Sequence, residues 1–241
     1  MQLVIDLGNT NAKLFLFYNG ELVEYKVEKE LEPHELAEFI AKNKKIKKAI
    51  ISSVVNHDIG LEEEIKKLSF SLVLNDKTKI PVQNLYTTPE TLGRDRLAAA
   101  IGANELYPNQ PVLAIDAGTC IKYDFVNEKN QYLGGAISPG INMRLSALNH
   151  FTDKLPLVEK QSLPIELIGN STETSILSGA INGALSEIND TINRYKEMYP
   201  ALKVVLSGGD CVYLEKGIKN SIFVEPFLVQ KGLNRILTYN L

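Results

Sequence analysis

Two short segments of the sequence each combine an aspartate, a glycine, small polar residues and a lysine at the end of an apolar run. The first is LVIDLGNTNAK at residues 3–13, and the second is LAIDAGTCIK at residues 113–122. A glycine in a tight turn lets backbone N–H groups approach an anion closely, asparagine and threonine donate hydrogen bonds, and lysine adds a positive charge. These residue types in this order predict a site that binds a polyphosphate.

The aspartates of the two segments need a separate explanation, because a carboxylate repels phosphate. The conflict disappears if Mg²⁺ lies between them, as it commonly does in nucleotide sites. We therefore predict that Asp6 holds Mg²⁺, directly or through water, while the turn after it holds the phosphates. The second segment, with Asp116, Gly118 and Thr119, would face the first across a cleft, so that two hairpins hold one nucleotide from both sides.

A third glycine element is SGGD at residues 207–210, which follows the strand-like segment KVVL. A Gly-Gly turn at this place either contacts the nucleotide or simply connects a strand to a helix, and the residues leave both interpretations open. The sequence contains neither GxxxxGK[ST] nor GxGxxG, which disfavours the P-loop and Rossmann classes of nucleotide-binding protein.

An acid that could accept a proton occurs in YTTPETLGRDRLAAAIGA, residues 86–103. Phosphoryl transfer to a hydroxyl needs a group that takes the hydroxyl proton. Asp95 stands at the start of an apolar, small-residue helix, with Gly93 before it and Arg96 after it. The alternative is that Asp95 is an ordinary acid of a first helical turn, paired with Arg94 or Arg96. The residue types alone favour neither interpretation.

Strands alternate with helices in both halves of the chain, which predicts an α/β fold. Each half opens on a three-strand pattern that begins with the Asp-x-Gly segment, and the two aspartates are 110 residues apart, a spacing that fits one compact α/β unit. The segment YPNQP, residues 107–111, interrupts the pattern. We therefore predict two duplicated domains, 1–108 and 109–241, with a long helix over 173–199 in the second.

Composition and charge exclude several classes of function. A net charge of −3 disfavours a nucleic-acid partner, and the one basic run, KNKKIKK at residues 42–48, is typical of a solvated helix end. The two cysteines, Cys120 and Cys211, and the scattered histidines predict neither a disulfide framework nor a zinc site. No apolar run approaches the roughly 18 residues of a membrane helix. We expect no membrane association and a cytoplasmic location.

Several motifs occur in a fixed order along the chain: DLGNTNAK, GRDR, DAGT and GGAISPG, with IGNSTETSILSG at residues 168–179. Together they resemble the motifs of type III pantothenate kinases, and the resemblance runs over residues 3–209. That family is part of the superfamily of acetate and sugar kinases, heat-shock chaperones and actin. The resemblance implies two duplicated ribonuclease-H-like (actin-like ATPase) domains facing a nucleotide cleft.

The resemblance also implies a reaction, namely the ATP-dependent phosphorylation of pantothenate to 4′-phosphopantothenate, the first step of coenzyme A biosynthesis. It implies Mg²⁺, with Asp95 as general base and Asp116 as ligand of a monovalent cation, K⁺ or NH₄⁺. The implied ATP site comprises Asp6, Leu7, Gly8, Asn9, Thr10, Asn11, Ala12, Lys13 and Thr119. The implied pantothenate site comprises Tyr86, Gly93, Arg94, Asp95, Arg96 and Thr172. Members of the family are homodimers whose substrate pocket is completed by the partner subunit, so a homodimer is expected.

Three positions depart from the family pattern. Cys120 and Lys122 replace the alanine and threonine that commonly follow the second Asp-Gly-Thr, and Arg94 is bulkier than the small residue often found between the glycine and the aspartate. Lys122 aligns with Lys13, so it either adds positive charge near the cleft or points outward on an alternating strand. These departures could change the nucleotide or cation preference, but none removes a named catalytic group.

Two other functions compete with the kinase. A relative that hydrolyses ATP or polyphosphate without an organic acceptor would need a water-positioning carboxylate and would not explain GRDR. A non-enzymatic regulator with the same fold, of the kind described as transcription accessory factors, should have lost its phosphate-binding or base residues. This sequence keeps all of them: Asp6, Lys13, Asp95, Asp116 and Thr119.

Overall fold

The computed structural model describes residues 1–8 and 10–241, and Asn9, one of the predicted ATP contacts, lies outside the described residues. The chain divides into two compact units, one formed by Met1–Glu105 with Val229–Leu241 and the other by Leu106–Leu228. Among the described residues, no helix combines the length and the apolar character that crossing a membrane requires.

Strands and helices alternate along both units. The strands are β1 (Gln2–Leu7), β2 (Ala12–Tyr18), β3 (Glu21–Glu28), β4 (Lys48–Ser53), β5 (Phe70–Val73), β6 (Gln83–Asn84), β7 (Val112–Ala117), β8 (Cys120–Val126), β9 (Gln131–Pro139), β10 (Lys203–Ser207) and β11 (Phe223–Val224). The α-helices are α1 (Pro33–Lys42), α2 (Ile59–Lys66), α3 (Arg94–Leu106), α4 (Ile141–His150), α5 (Thr172–Leu177), α6 (Gly183–Met198), α7 (Cys211–Glu215) and α8 (Leu228–Tyr239).

The first unit is built on a sheet with the strand order β3-β2-β1-β4-β5. Strand β1 is antiparallel to β2 and parallel to β4. The residues Asn19 and Gly20, with φ of 51° and 87°, form the predicted tight turn between β2 and β3. Ile5 and Leu7 of β1 face a core that α1 and α2 cover, so the intervening Asp6 lies on the opposite face of the sheet.

The second unit repeats this plan with the strand order β11-β10-β7-β8-β9. Strand β7 is antiparallel to β8 and parallel to β10. Ile115 and Ala117 of β7 face a core that α4, α5 and α6 cover. Asp116 therefore lies on the opposite face. In each unit, the Asp-x-Gly aspartate stands near the C-terminal end of a central strand, on the face that points away from this core.

The long helix predicted over 173–199 is present, but it is not one regular α-helix. It begins at Thr172 as α5, passes through a π-helical segment at Ser178–Asn182 and continues as α6 to Met198. A single π-helical segment changes the hydrophobic spacing too little for the residue pattern to reveal it. The two-residue strands β6 and β11 were missed, because elements this short carry no periodicity.

The last helix, α8, groups with the first unit although it follows the whole second unit in sequence. Helix α8 crosses α3 at close range. A Cβ built on Gly232 would lie 1.8 Å from the carbonyl oxygen of Ala98 and 3.0 Å from the backbone nitrogen of Gly102, so only glycine fits at this crossing. The predicted second domain, 109–241, included this helix. An amphipathic helix packs its apolar face against the element that the tertiary structure places beside it, and its own residue pattern does not encode which element that is.

Four polar side chains tie the second sheet to α4 and α6. Glu187 accepts hydrogen bonds from the hydroxyls of Tyr123 and Ser138, each at 2.9 Å, and pairs with Arg144. Burial acts to raise the pKa of Glu187, but hydrogen bonds from Arg144, Ser138 and Tyr123 and the charge of Arg144 outweigh it, so the pKa is lowered. Burial and the neighbouring charge of Glu187 raise the pKa of Tyr123, which therefore stays a donor.

Substitution of Glu187→Gln should lower the free energy of unfolding at pH 7 by about 1–3 kcal/mol, because the network loses its charged acceptor. Since the pKa of Glu187 is lowered in the folded state, its contribution is present above the ordinary carboxyl pKa and is lost as the pH falls through the lowered value. The difference between wild type and variant should therefore shrink in acid.

Urea unfolding at pH 7 and at about pH 3 measures this difference. The matched control is Glu197→Gln, an exposed position on the same helix, for which little change is expected at either pH. A wild-type advantage that is equally large at both pH values would contradict the electrostatic explanation.

Candidate active site

The first predicted hairpin places an acid and a lysine opposite each other. In the β1–β2 register, Asp6 is the direct partner of Lys13. The turn between them is closed by a hydrogen bond from the N–H of Gly8 to the carbonyl oxygen of Asn11 at 3.0 Å. The turn follows Asp6 directly along the chain, and its role in binding phosphate stays a prediction.

The carboxylate of Asp6 is held by a residue that sequence analysis missed. The side chain of Gln230, at the start of α8, is buried, and its Nε2 donates a hydrogen bond to Oδ2 of Asp6 at 2.6 Å. The two residues are 224 positions apart, so no local motif could have revealed the pair. A neutral amide donor orients the carboxylate without cancelling its charge, which suits an acid that is to attract a cation.

The predicted base stands at the first turn of α3. The backbone N–H of Arg96 donates to Oδ1 of Asp95 at 2.9 Å, which fixes the carboxylate against the helix start. A Cβ built on Gly93 would lie 2.8 Å from the same oxygen. The glycine was predicted to let a ligand approach the backbone. The structure adds a further reason for it, which is that a side chain at 93 would displace the Asp95 carboxylate.

Arg94 fixes the position of α3 relative to the first sheet. Its Nη1 donates to the carbonyl oxygen of Ser53, the last residue of β4, at 3.0 Å. Ser53 is the register partner of Leu7, which directly follows Asp6 on β1. The start of α3 is therefore attached to the same edge of the sheet at which Asp6 lies. The bulky arginine that departs from the family pattern thus has a structural role in this chain.

The structure brings two further predicted substrate residues together. Nη1 of Arg96 lies 3.4 Å from the hydroxyl of Tyr86, and its guanidinium carbon lies 5.6 Å from the centre of the Tyr86 ring. The Arg96 side chain is buried, with 6% of the residue exposed. A guanidinium at the start of α3, stacked against an aromatic ring, is suited to binding an organic anion such as a carboxylate.

The second hairpin has the same register but a different partner for its acid. Asp116 lies opposite Lys122 in the β7–β8 pair, and Lys122 Nζ is 2.6 Å from Asp116 Oδ2. The exposed fractions of the two side chains are 17% for Lys122 and 14% for Asp116. Of the two interpretations of Lys122, the structure supports the one that brings positive charge to the Asp-x-Gly turn.

This ion pair bears on the predicted monovalent cation. A K⁺ or NH₄⁺ ion at Asp116 would bind a carboxylate whose Oδ2 already pairs with the ammonium of Lys122. Two positive charges on one carboxylate repel each other strongly in a site this poorly exposed. The residues around Asp116 therefore do not fit an additional monovalent cation.

The third glycine element lies directly against the second hairpin. Gly208 has a φ of +90°, and a Cβ built on it would lie 2.3 Å from the carbonyl oxygen of Ala117 and 2.5 Å from Asp116 Oδ1. The N–H of Asp210 donates to the same carbonyl of Ala117 at 2.9 Å. The SGGD segment does connect β10 to α7, as the simpler interpretation required, and it also forms a wall of the Asp116 turn.

The two predicted threonines are exposed and lie in the second unit. Thr119 is at the tip of the β7–β8 turn. Thr172 is the first residue of α5, where a capping box formed by Ser171 and Thr174 fixes the helix start. An open groove of about 690 Å³ runs along this start and includes Leu148, Leu155, Gly169, Asn170, Ser171, Thr172, Ser175, Ile176 and Gly179 in its lining.

The donors present fit Mg²⁺ held mostly by a nucleotide. In residues 1–8 and 10–241 no group of three or more His, Cys, Asp or Glu side chains is arranged to hold a metal ion. Mg²⁺ in phosphate-transfer sites is commonly bound by one or two carboxylates, water and the substrate phosphates rather than by a protein cage. Asp6, oriented by Gln230, meets that requirement.

Comparison with known proteins gives one consistent family. The model of the type III pantothenate kinase family matches residues 2–194. A type III pantothenate kinase from Phocaeicola vulgatus is 44% identical over 241 residues, covering 100% of this chain and 99% of the relative.

Two solved structures share the fold at low identity. A Campylobacter jejuni protein assigned to the Baf family of transcriptional activators has a TM-score of 0.65 at 24% identity, covering 99% of this chain and 98% of that one. A Listeria monocytogenes protein assigned as an N-acetylmannosamine kinase has a TM-score of 0.55 at 12% identity, covering 100% and 99%. These likenesses bear on the fold alone, and they confirm the predicted α/β class of duplicated ribonuclease-H-like units.

Substitution of Gly208→Ala should lower the free energy of unfolding by about 2–4 kcal/mol, because alanine is strained at positive φ and its Cβ would collide with the Ala117 carbonyl. The matched control is Gly118→Ala in the neighbouring turn, where a Cβ would meet no atom of the described residues within 4 Å. That control should change the stability by less than about 0.5 kcal/mol. Urea unfolding measures both variants, and equal losses would contradict the proposed packing of the glycine turn.

Proposed function

This chain belongs to the type III pantothenate kinase family, and from that premise we propose that it transfers the γ-phosphoryl group of ATP to the hydroxyl of pantothenate. The product would be 4′-phosphopantothenate, and the reaction would be the first step of coenzyme A biosynthesis. The observation that supports this proposal most directly is the start of α3. There a carboxylate is held in place by a backbone N–H, next to a buried arginine and an aromatic ring.

We assign the general base to Asp95. Its carboxylate would accept the proton of the pantothenate hydroxyl as that oxygen attacks the γ-phosphorus. The bond from that phosphorus to the bridging oxygen breaks, and ADP leaves with the electron pair. A carboxylate is a weak base. The transition state of phosphoryl transfer is loose, however, so the hydroxyl loses its proton to the carboxylate only late in the reaction. Positioning of the hydroxyl therefore matters more than the basicity of Asp95.

We assign the anionic end of pantothenate to Arg96. Arg96 is buried and stacks against Tyr86, and both residues belong to the predicted substrate set. A planar guanidinium binds a carboxylate in two parallel hydrogen bonds, which would fix the orientation of the substrate as well as its charge. Thr172 would add a polar contact from the groove of the second unit.

We assign the triphosphate to the first hairpin. Backbone N–H groups of the Asp6–Lys13 segment and the ammonium of Lys13 would bind the phosphate oxygens. Asp6, oriented by Gln230, would hold Mg²⁺ directly or through water. When bound, Mg²⁺ would neutralise charge that develops on the transferred group and on ADP. Thr119 of the second hairpin and the SGGD turn would complete the nucleotide site.

Three further parts of the predicted system follow from the family. We propose that the active form is a homodimer in which the partner subunit completes the pantothenate pocket, that the enzyme works in the cytoplasm, and that it has no nucleic-acid or membrane partner. The monovalent cation predicted at Asp116 is not part of this proposal, because Lys122 already pairs with that carboxylate.

The two competing functions make different predictions. A hydrolase would release phosphate from ATP equally fast with and without pantothenate. A non-enzymatic regulator would turn over neither substrate. The likeness to the Baf family protein does not favour the regulator, since at 24% identity it concerns the fold alone.

Substitution of Asp95→Asn should reduce kcat for pantothenate phosphorylation by roughly 10²–10⁴-fold, because the amide cannot accept the hydroxyl proton. Binding of ATP should be retained, since Asp95 is not part of the phosphate site. Steady-state kinetics with pantothenate, and calorimetry with ATP and Mg²⁺, measure the two effects. The matched control is Asp190→Asn, an exposed acid on α6. Turnover within tenfold of wild type would remove Asp95 from the mechanism.

Substitution of Gly93→Ala should reduce kcat by about 10- to 100-fold, because the new Cβ would force the Asp95 carboxylate out of position. Stability should change little, since the atom displaced is the end of a side chain. Gly183→Ala serves as the kinetic control. It is the same glycine-to-alanine change at a position where a Cβ would meet no described atom within 4 Å. Thermal unfolding followed by circular dichroism measures the stability of both variants. A Gly93→Ala enzyme with wild-type kcat would show that the displacement of Asp95 is harmless.

A further inference from the structure

A side-chain nitrogen contacts the Asp-x-Gly carboxylate in each of the two hairpins. In the first hairpin, Oδ2 of Asp6 accepts from the neutral amide of Gln230 at 2.6 Å. In the second, Oδ2 of Asp116 accepts from the ammonium of Lys122, also at 2.6 Å. The two turns share their register and their acid, and in the second turn the cross-strand lysine itself pairs with that acid. The Asp-x-Gly carboxylate of the second turn therefore already carries a formal positive charge at contact distance.

The fold holds Lys122 against Asp116. The two residues are direct cross-strand partners, and both lie on the face of the sheet opposite the core that contains Ile115 and Ala117. On its other side the carboxylate is bounded by the SGGD turn, where a Cβ on Gly208 would come within 2.5 Å of Asp116 Oδ1. The ammonium is thus tethered next to a carboxylate whose surroundings leave little room.

We propose that the ammonium of Lys122 is a built-in replacement for a monovalent cation, so that this enzyme needs neither K⁺ nor NH₄⁺. The inference rests on the proposed kinase function, in which the Asp116 turn contacts the nucleotide. An ammonium carries the same single positive charge as K⁺ or NH₄⁺ and is already at contact distance. Because it is covalently attached, its binding to the carboxylate is intramolecular, whereas a dissolved ion must bind from solution.

The substitution Lys122→Thr should create a cation requirement. It leaves the Asp116 carboxylate without its ammonium, and a poorly exposed charge without a partner is costly. It also removes a long side chain and leaves a hydroxyl oxygen, which is a ligand type that K⁺ accepts. A dissolved monovalent cation should then occupy the space and restore the lost charge.

Phosphorylation of pantothenate by the full-length chain should be measured with Mg²⁺ and ATP at constant ionic strength, in choline chloride, NaCl, KCl or NH₄Cl. The wild-type rate should differ by less than about twofold among the four salts. The Lys122→Thr rate in choline chloride should fall by about 100- to 1,000-fold, the range typical of removing one electrostatic stabiliser, and KCl or NH₄Cl should restore most of it. Lys122→Arg, which keeps the charge, should remain independent of salt type.

The matched control for charge removal is Lys203→Thr. Lys203 is an exposed lysine of the same sheet, at the opposite end of the strands, where it pairs with Val112. This variant should behave as wild type in every salt. Circular dichroism spectra establish that each variant is folded before its rates are compared.

A second readout does not depend on turnover. With Mg²⁺ and ATP present, K⁺ should raise the Tm of Lys122→Thr relative to choline, because an ion that binds the folded state stabilises it, whereas the Tm of wild type should be the same in both salts. If no protein phosphorylates pantothenate in any salt, the proposed function is wrong, and this comparison still decides the cation inference.

Two results would overturn the inference. One is a wild-type enzyme whose rate or Tm rises with K⁺ as steeply as that of Lys122→Thr. The other is a folded Lys122→Thr enzyme that keeps wild-type kinetics in choline chloride, since the ammonium would then be dispensable.

Discussion

In each unit an aspartate near the end of a central strand lies directly across an antiparallel hairpin from a lysine, Asp6 from Lys13 and Asp116 from Lys122. This register is set by the alternation of the strands, because a shift of one residue would turn the acids into the core and the apolar residues out of it. The same alternation places both acids on the face away from the core under α1 and α2 or under α4 to α6. In the second turn the cross-strand lysine contacts the acid, and in the first the amide of Gln230 does so.

Much of this arrangement could be predicted from the sequence. The Asp-x-Gly segments, the strand alternation and the Asn19-Gly20 turn carry strong local signals, and each is found where the pattern put it. The start of α3 in GRDR was equally visible, since small apolar residues follow a glycine and an acid. For these elements the local chemistry and the fold point to the same structure, which is why local reasoning succeeds.

The parts that could not be predicted depend on contacts between distant segments. Gln230 reaches Asp6 across 224 positions, and α8 packs on α3 through a glycine whose role is evident only when Ala98 is seen beside it. The direction of Lys122 was undecided from the strand pattern, because alternation fixes the face of a side chain but not its partner. The role of Arg94 in holding α3 to β4 likewise requires the Ser53 carbonyl, 41 positions away.

The return of α8 to the first unit has a consequence for biosynthesis. A ribosome releases the chain from the N-terminus, so β1 to β5 and α3 emerge long before α8, and the entire second unit is made in between. During that interval the face of the first unit that α8 covers stays unpaired, and Asp6 lacks the amide of Gln230. The nascent first unit therefore cannot complete its folding by itself. Its folding is completed only after the second unit and α8 have been synthesised.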